Sequence, residues 1–378
     1  MSEPRLVPRS VAGRAALRKR SLQLLATLLA ALGASIAAAG DSAVTEGDAV
    51  LKDFRFANGE SLQELRIHYR TLGAPVRDAH GVVRNAVLIL HGTTGNGGNF
   101  IRPEFSGQLF GAGQLLDASR YYLILPDGIG HGKSSRPSDG MKAHFPHYAY
   151  HDMVEAQRRL LVEALGVTHL RLVMGTSMGG MHTWLWGELH PQFMDALMPL
   201  ASLPAQVAGR NRIWRRLIID AIQNDPAWQH GDYTQQPPSL RTAEEMLWLV
   251  GSNPQLRQQE APTLAQADAV IDRYVATAMR TDDANDILYA LAASRDYDPE
   301  PNLTHIRAPL AAVNSADDLI NPPELGILER LVKQVPHGKA IMVPLSEQTR
   351  GHGSHTIAVL WAPYLKALLE ESRPADAP

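Results

Sequence analysis

The sequence contains no cysteine among its 378 residues. Disulfide-stapled scaffolds are therefore excluded, as are zinc and iron–sulfur sites that depend on cysteine ligands. An excess of charge of one sign is also missing, since 36 Lys and Arg stand against 39 Asp and Glu. Nothing in this balance indicates a nucleic-acid partner. With 45% hydrophobic residues, the chain is too apolar to be largely disordered.

An uncharged apolar stretch spans residues 21–40 and follows a segment in which six Lys or Arg accompany one acid, Glu3. Small residues at 37–39 complete the pattern of a secretory signal peptide (1–39) cleaved near Ala39. The alternative is a membrane anchor, since about 20 apolar residues span a bilayer. We expect cleavage, export to the periplasm or medium, and no stable membrane insertion. The mature chain would then have a net charge of −8, from 30 basic and 38 acidic residues.

Short apolar runs recur along the rest of the chain, at 86–90, 121–125, 170–174, 310–313 and 340–343. Because these runs do not alternate with polar residues, they are typical of strands buried on both faces of a parallel sheet. Segments with helical spacing lie between them, including Met153–Leu165 and Met178–Leu189. The alternation predicts an α/β fold with a mostly parallel central sheet flanked by helices.

Residues 206–302 interrupt this alternation with helical patterns and no convincing strand, for example at 212–223, 243–250 and 263–279. A helical insertion between two strands predicts a lid over the C-terminal edge of the sheet, where open α/β sheets bind ligands. We therefore predict a core formed by 40–205 and 303–378 and a helical lid formed by 206–302. A chain of this length can form one large domain with an insertion, or two domains.

The segment Gly175-Thr176-Ser177-Met178-Gly179-Gly180 follows an apolar run and begins a helical one. This is the G-x-S-x-G pattern in the strand–turn–helix context that it requires, and it points to a nucleophilic Ser177. Glycine at both flanks tolerates the unusual dihedrals of such a tight turn. The alternative is a simple glycine-rich turn.

A serine hydroxyl needs a histidine base, and the base needs an acid that fixes its tautomer. Two downstream clusters supply these residue types after predicted strands, in the chain order acid then histidine. The acid is Asp317 or Asp318, and the base is His352 or His355. In each pair the residue that is not catalytic would cap a segment or line the pocket.

The loop that begins at His91-Gly92-Thr93 follows the 86–90 run and can donate backbone N–H groups to a developing oxyanion. We predict the backbone N–H groups of Thr93 and Met178 as the oxyanion hole, and a structural role for His91.

Three further features are weaker. The Asp127–Ser134 segment resembles a phosphate loop but has Asp127 where the first glycine is required. His144, His147 and His151 have a spacing that can bind metal but more often belong to surface or packing groups. We therefore predict no metal and no cofactor. The aromatic and Met side chains of the lid are expected to be core between helices, with a minority lining an acyl pocket: Trp214, Trp228, Met246 and Trp248.

Across about residues 50–370, these motifs resemble the α/β-hydrolase superfamily. Within it, they resemble the homoserine O-acetyltransferase-like branch. The branch resemblance rests on Ser177–Met181, Ala221–Trp228 with Gly231–Tyr233, and Asp283–Asn285 leading into Leu288–Tyr289. The resemblance implies a triad that takes an acyl group onto serine. Because the family acid has three residues between it and a Pro-Pro step, and the family base sits in a Gly-His step, the resemblance favours Asp318 and His352.

Two positions depart from that branch. The acetyltransferases usually have an Arg where this chain has Ile219, and an Asp directly after the catalytic His where it has Gly353. Without those side chains an amino acid acceptor would lose charge-assisted contacts. We therefore expect acyl-enzyme chemistry without the homoserine site.

Three functions remain open at this stage. The leading one is a carboxylic ester hydrolase that acts on a small-molecule ester. The alternatives are an O-acyltransferase of the homoserine O-acetyltransferase type and a non-catalytic binding protein. The sequence leaves the natural substrate, the acyl chain length and the oligomeric state open.

Overall fold

The computed structural model describes residue 1 and residues 43–373. Apart from its first residue, the predicted leader lies outside the described residues. The described chain forms a mixed sheet with the strand order β1-β2-β4-β3-β5-β6-β7-β8. The strands are β1 (Thr45–Arg55), β2 (Ser61–Leu72), β3 (Ala86–Leu90), β4 (Tyr122–Pro126), β5 (Leu172–Thr176), β6 (Leu197–Leu200), β7 (Leu310–Ser315) and β8 (Gly338–Val343).

The sheet is parallel from β4 to β8. Only the pairs β1–β2 and β2–β4 are antiparallel. The predicted α/β fold with a mostly parallel sheet is therefore confirmed. In register, Val87 of β3 pairs with Leu172 of β5.

The helices connect the strands and cover the sheet. They are α1 (Ser106–Leu109), α2 (Tyr150–Arg159), α3 (Met178–Leu189), α4 (Gly209–Gln223), α5 (Ser239–Gly251), α6 (Pro254–Glu260), α7 (Leu264–Thr281), α8 (Ala284–Ala292), α9 (Ile327–Leu331) and α10 (Ala362–Glu371). Among the described residues, none of these helices combines the length and apolar character needed to cross a membrane.

The central strands are buried on both faces, which explains their unbroken apolar sequences. In β3, Leu88 and Leu90 belong to the core on one side of the sheet, whereas Val87 and Ile89 belong to the core on the other. Successive side chains of a strand point to opposite faces, so a strand covered on both sides needs an apolar residue at every position.

Three strands were not predicted. The outer strand β1 and the first half of β2 have exposed residues between buried ones. The second half of β2 is buried but includes the polar residues His68, Arg70 and Thr71. Neither strand therefore contains a continuous apolar run. The third, β6, is a run of four residues that contains Pro199, a residue that argues against a central strand.

The chain between β6 and β7 consists of α4–α8 and short 3₁₀ turns. Prolines in this segment mark the starts of helices. Asn253, for example, accepts the Leu256 backbone N–H and precedes Pro254 at the first position of α6, as expected for an N-cap followed by proline. These helices pack on one another, α4 against α5 and α8 and α5 against α7. They are tied to the core by Tyr289, whose hydroxyl donates to the Phe145 carbonyl at 2.8 Å.

Candidate active site

Ser177 lies in a sharp turn between β5 and α3. Its backbone has φ 55° and ψ −112°, a strained conformation for a residue with a side chain. The flanking glycines allow it: a Cβ at Gly175 would lie 2.2 Å from the Gly179 carbonyl oxygen, and one at Gly179 would lie 2.0 Å from that of Leu90. The strand and helix approach this closely only because no side chain separates them. The turn places the serine at the carboxyl edge of the sheet.

Three of the predicted side chains meet at this edge. His352 Nε2 lies 2.8 Å from Ser177 Oγ, and His352 Nδ1 lies 2.8 Å from Asp318 Oδ2. Asp318 follows β7 and His352 follows β8, which neighbours β7 in the sheet. Because a carboxylate can only accept, Nδ1 carries a proton. In the tautomer with its single proton on Nδ1, Nε2 can accept from the serine hydroxyl.

Asp318 is buried, with 1% of its surface exposed. Its Oδ1 accepts the backbone N–H groups of Ile320 at 2.8 Å and Asn321 at 3.1 Å. Burial opposes ionisation, but the charge and hydrogen bond of His352, together with these backbone donors, hold the pKa of Asp318 below its usual value. The carboxylate is therefore ionised in the neutral pH range.

The competing acid and histidine occupy supporting positions. Asp317 Oδ2 accepts from the Gly351 backbone N–H at 2.8 Å and from Asn253 Nδ2 at 2.6 Å, so Asp317 holds the loop that carries His352. The His355 ring packs edge-on against the His352 ring with 5.2 Å between centroids. Burial and the charge of His352 lower the pKa of His355 to about 3, which keeps His355 neutral.

The predicted oxyanion-hole donors lie next to the serine. A Cβ added at Gly92 would lie 3.5 Å from Ser177 Cβ, so the loop after β3 passes beside the hydroxyl. The Thr93 N–H has no acceptor among the described residues. Met178 is the first residue of α3, where an N–H group has no intrahelical acceptor. Both N–H groups can therefore donate to a charge that develops on a substrate.

His91 holds this loop in place. Its Nδ1 donates to the Gly92 carbonyl at 2.8 Å, and its Nε2 accepts the Gly128 backbone N–H at 2.9 Å. The Gly92 carbonyl belongs to the same peptide group as the Thr93 N–H and also accepts the Gly95 backbone N–H at 2.9 Å. The bonds from His91 and Gly95 together fix the direction of the Thr93 N–H. Burial and the charge of His131 lower the pKa of His91 to about 4. The neutral form that both bonds require is therefore the one present.

A cavity of about 240 Å³ opens beside Ser177 and His352, between the core loops and the lid. Leu247 and Val250 of α5 give it an apolar wall, and Tyr274 of α7 adds a hydroxyl. Of the four lid side chains considered in the sequence, Trp214 lines this cavity and is 6% exposed.

The other three lie elsewhere in the lid. Trp228 donates to Asn285, and Trp248 is half-buried under Arg257. Met246 is half-buried and packs against the core. One of these four side chains therefore lines the cavity, and the other three do not.

Sequence reasoning missed Arg215, which also lines the cavity and is 2% exposed. Its Nε donates to Asn211 Oδ1 at 2.9 Å, and its guanidinium lies 4.8 Å from the Trp214 ring. Among the described residues, no carboxylate lies within 4 Å of it. Arg215 is four residues before Ile219 and therefore on the same side of α4, a helical spacing that could have revealed it.

The phosphate-loop-like segment has a structural role. Asp127 is fully buried and accepts from the backbone N–H groups of Gly97 and Lys133 and from Arg70 Nη1. The histidine cluster is dispersed: His147 stacks on Tyr289, while His144 and His151 face different aspartates. Among residues 43–373, no group of three or more potential ligands is arranged to hold a metal ion.

Comparison with known proteins matches residues 85–339 to the family described as alpha/beta hydrolase fold. A probable acyltransferase of Methanothermobacter thermautotrophicus is 29% identical over 301 residues, which cover 77% of this chain and 88% of that protein. The homoserine O-acetyltransferase of Geotalea uraniireducens is 27% identical over 370 residues, covering 85% and 95%. The crystal structure of esterase E22 matches with a TM-score of 0.75 at 18% identity, covering 86% of this chain and 100% of that one.

Proposed function

The chain belongs to the α/β-hydrolase fold family and is similar to its homoserine O-acetyltransferase-like branch, and on this premise we propose that it is a serine-dependent carboxylic ester hydrolase. One observation carries the proposal. The Ser177 hydroxyl is in hydrogen-bond contact with His352, whose other nitrogen contacts Asp318, at the wall of a cavity. This is the arrangement that turns a serine hydroxyl into a nucleophile.

In the proposed reaction, Ser177 Oγ attacks the carbonyl carbon of the ester while its proton passes to His352 Nε2. Asp318 stabilises the imidazolium that forms. The Thr93 and Met178 N–H groups donate to the negative oxygen of the tetrahedral intermediate. His352 then gives the proton to the departing alcohol, which leaves an acyl group on Ser177. Water repeats the sequence with His352 as base and releases the acid.

Labelling by a fluorophosphonate probe and hydrolysis of p-nitrophenyl acetate test this proposal together. We expect both in the intact protein and neither in Ser177→Ala, because the variant lacks the attacking oxygen. Ser106→Ala, on α1, is the matched control and should retain both. Absence of labelling in folded wild-type protein would favour the non-catalytic binding protein instead.

Acyl transfer to a hydroxyl acceptor is a second candidate, favoured by the similarity to the two acyltransferases. The covalent intermediate is the same, and only the group that resolves it differs. Incubating the protein with an acyl ester and a series of alcohols separates the two. Free acid that forms at the same rate without any acceptor supports hydrolysis. Turnover that requires the acceptor supports transfer.

We also propose that the protein is exported, because residues 1–39 have the composition of a cleavable signal peptide. Mass spectrometry of the secreted or periplasmic fraction should find a mature N-terminus near Gly40. A chain that begins at Met1 in a membrane fraction would support the anchor instead.

A further inference from the structure

The side chain of Asn253 joins the lid to the loop that carries His352. Asn253 lies between α5 and α6 and is 5% exposed. Its Nδ2 donates to Asp317 Oδ2 at 2.6 Å, and the same carboxylate oxygen accepts the Gly351 backbone N–H at 2.8 Å. Gly351 directly precedes His352. Two successive hydrogen bonds therefore connect the lid to the residue next to the proposed base.

The hydrogen bonds of Asn253 allow one orientation of its amide. Oδ1 accepts the Leu256 backbone N–H at 2.9 Å and so caps the first turn of α6. The other end of the amide faces the Asp317 carboxylate, which can only accept, so this end is the NH₂ group. Among the residue types common at N-caps, asparagine alone carries an acceptor and a donor on separate atoms.

The loop that carries His352 turns directly against Asn253. Gly351 has φ 61°, and a Cβ at this position would lie 3.2 Å from Asn253 Cβ and 3.3 Å from the Asp317 carbonyl oxygen. A residue with a side chain would be strained in this left-handed conformation and would also press against the lid. The turn before His352 is therefore closed on Asn253.

Asp317 is the outside anchor of this loop. Apart from the bonds of the His352 ring, the described hydrogen bonds of residues 346–354 run within the loop or to the residues that directly follow it, with one exception, the bond from Gly351 to Asp317. The position of the Asp317 carboxylate therefore sets the position of the loop.

Two side-chain donors hold that carboxylate among the described residues. Ser315 Oγ donates to Oδ1, and Asn253 Nδ2 donates to Oδ2. The bond from Asn253 is short, as expected when the acceptor is ionised. Without Asn253, the oxygen that receives the Gly351 N–H would be free to rotate about the bond to Ser315.

The same corner of the lid forms part of the substrate cavity. Val250 and Gly251, at the end of α5, line the cavity beside Ser177, whereas Asn253 is not among the residues that line it. A change at Asn253 should therefore act on the position of His352 rather than on contacts with the substrate.

We propose that Asn253 is a positioning residue through which the packed lid holds the catalytic base. Asn253 fixes Asp317, and Asp317 fixes the backbone next to His352. The inference rests on the proposed function, because it concerns the base of that reaction. A catalytic group displaced by about 1 Å can lose about 100-fold in rate, so the loss of one support should cost part of that factor.

Two substitutions separate this role from helix capping. Serine and aspartate are both good N-caps, but serine has no amide N–H for Asp317, and aspartate places a second carboxylate against it. For p-nitrophenyl acetate we expect kcat to fall about three- to tenfold in Asn253→Ser and further in Asn253→Asp, with KM within about twofold of wild type. A purely capping role predicts kcat near wild type in both variants, and that result would overturn the proposal.

Thr263→Ala is the matched control. Thr263 caps α7, another lid helix, and is exposed. Its replacement should lower the temperature of thermal unfolding, because an N-cap is lost, and leave kcat unchanged. A loss of kcat as large as that of Asn253→Ser would show that any weakened lid helix reduces activity, and would contradict the specific role of Asn253.

A double-mutant cycle tests the route through Asp317. In an Asp317→Ala background, which lacks the shared oxygen, Asn253→Ser should change kcat less than about twofold. Losses that multiply would show that the two residues act independently and would refute the route. Thermal unfolding shows whether each variant is folded, and the comparison of Asn253→Ser with Asn253→Asp decides the question if Asp317→Ala is not.

Proton NMR supplies a readout that does not depend on turnover. The His352 Nδ1–H that faces Asp318 should give a downfield resonance that is absent from His352→Gln. In Asn253→Ser we expect this proton to exchange with water at least about fivefold faster, because a less firmly held ring leaves Asp318 more often. Unchanged exchange would contradict the positioning role. A protein that shows faster exchange but is not labelled by fluorophosphonate would refute the proposed function and leave this inference standing.

Discussion

Replacing Asp318 by asparagine should inactivate the enzyme, because the structure dictates how the amide would sit. Oδ1 of Asp318 accepts two backbone N–H groups, from Ile320 and Asn321, whereas Oδ2 faces His352 Nδ1 and the Asn321 side-chain amide. The amide oxygen must stay on the two backbone donors, since turning it away would leave both without an acceptor. The NH₂ group then faces His352.

An NH₂ group facing Nδ1 can only donate, so His352 must present Nδ1 as the acceptor and carry its proton on Nε2. A protonated Nε2 cannot take the proton of Ser177. A triad with the wrong tautomer loses about 10⁴ in kcat, equivalent to about 5.5 kcal/mol of transition-state stabilisation. The assay is kcat for p-nitrophenyl acetate at pH 7.5, together with the rate of fluorophosphonate labelling.

The neighbouring aspartate provides the control. Asp317→Asn changes a carboxylate that holds the Gly351 backbone but does not touch His352, and should lower kcat less than about tenfold. Thermal unfolding of both variants shows that each is folded. The tautomer argument fails if folded Asp318→Asn keeps kcat within tenfold of wild type, or if Asp317→Asn loses as much.

Three further outcomes follow from the packing. Gly179→Ala should lower the free energy of unfolding by about 3 kcal/mol or more, because its Cβ would lie 2.0 Å from a backbone oxygen; Gly353→Ala, which has no such neighbour, is the control in urea denaturation. His91→Leu should lower kcat about 10-fold or more at nearly constant KM, because it removes one of the two donors to the Gly92 carbonyl, the other being the Gly95 N–H; an unchanged kcat would contradict that positioning role. Burial raises the pKa of Glu188 from 4.5 to about 7 in the folded protein. Between these two pH values the unfolded chain has lost the proton and the folded protein has not, so the free energy of unfolding falls as the pH rises. Glu188→Gln should therefore be more stabilising at pH 8 than at pH 4 by about 3 kcal/mol, and equal effects at the two pH values would refute this.

Strands that are buried on both faces of the sheet were predictable from the sequence. Continuous apolar runs identified β3, β4, β5, β7 and β8. The first four are buried along their whole length, as expected for strands covered on both faces. The edge strand β8 is only partly buried and has Lys339 exposed beside its apolar run. Exposed residues interrupt β1 and the first half of β2, buried polar residues interrupt the second half of β2, and β6 is short. Their positions in the sheet depend on pairing with neighbours that are distant in the chain, which composition alone does not show.

The residue types of the site were predictable from the sequence, but the exact acid and the exact histidine were not. The residue order and the glycines around Ser177 pointed to a serine, an acid and a histidine, but two candidates remained for each partner, adjacent for the acid and three positions apart for the histidine. Asp317 and Asp318 differ only in the direction of their side chains, one toward Gly351 and the other toward His352. That direction is set by the backbone path of the loop after β7.

By itself, the amino-acid sequence determined the layered α/β architecture, the helical insertion and the serine that occupies the sharp turn after β5. These depend on local periodicity and on glycines needed within a few residues of one another. Only the tertiary structure decided which acid contacts the imidazole and that Arg215 reaches the first cavity. Each of these is a distance between side chains from separate elements, and such distances arise only when the helices of the lid pack above the sheet.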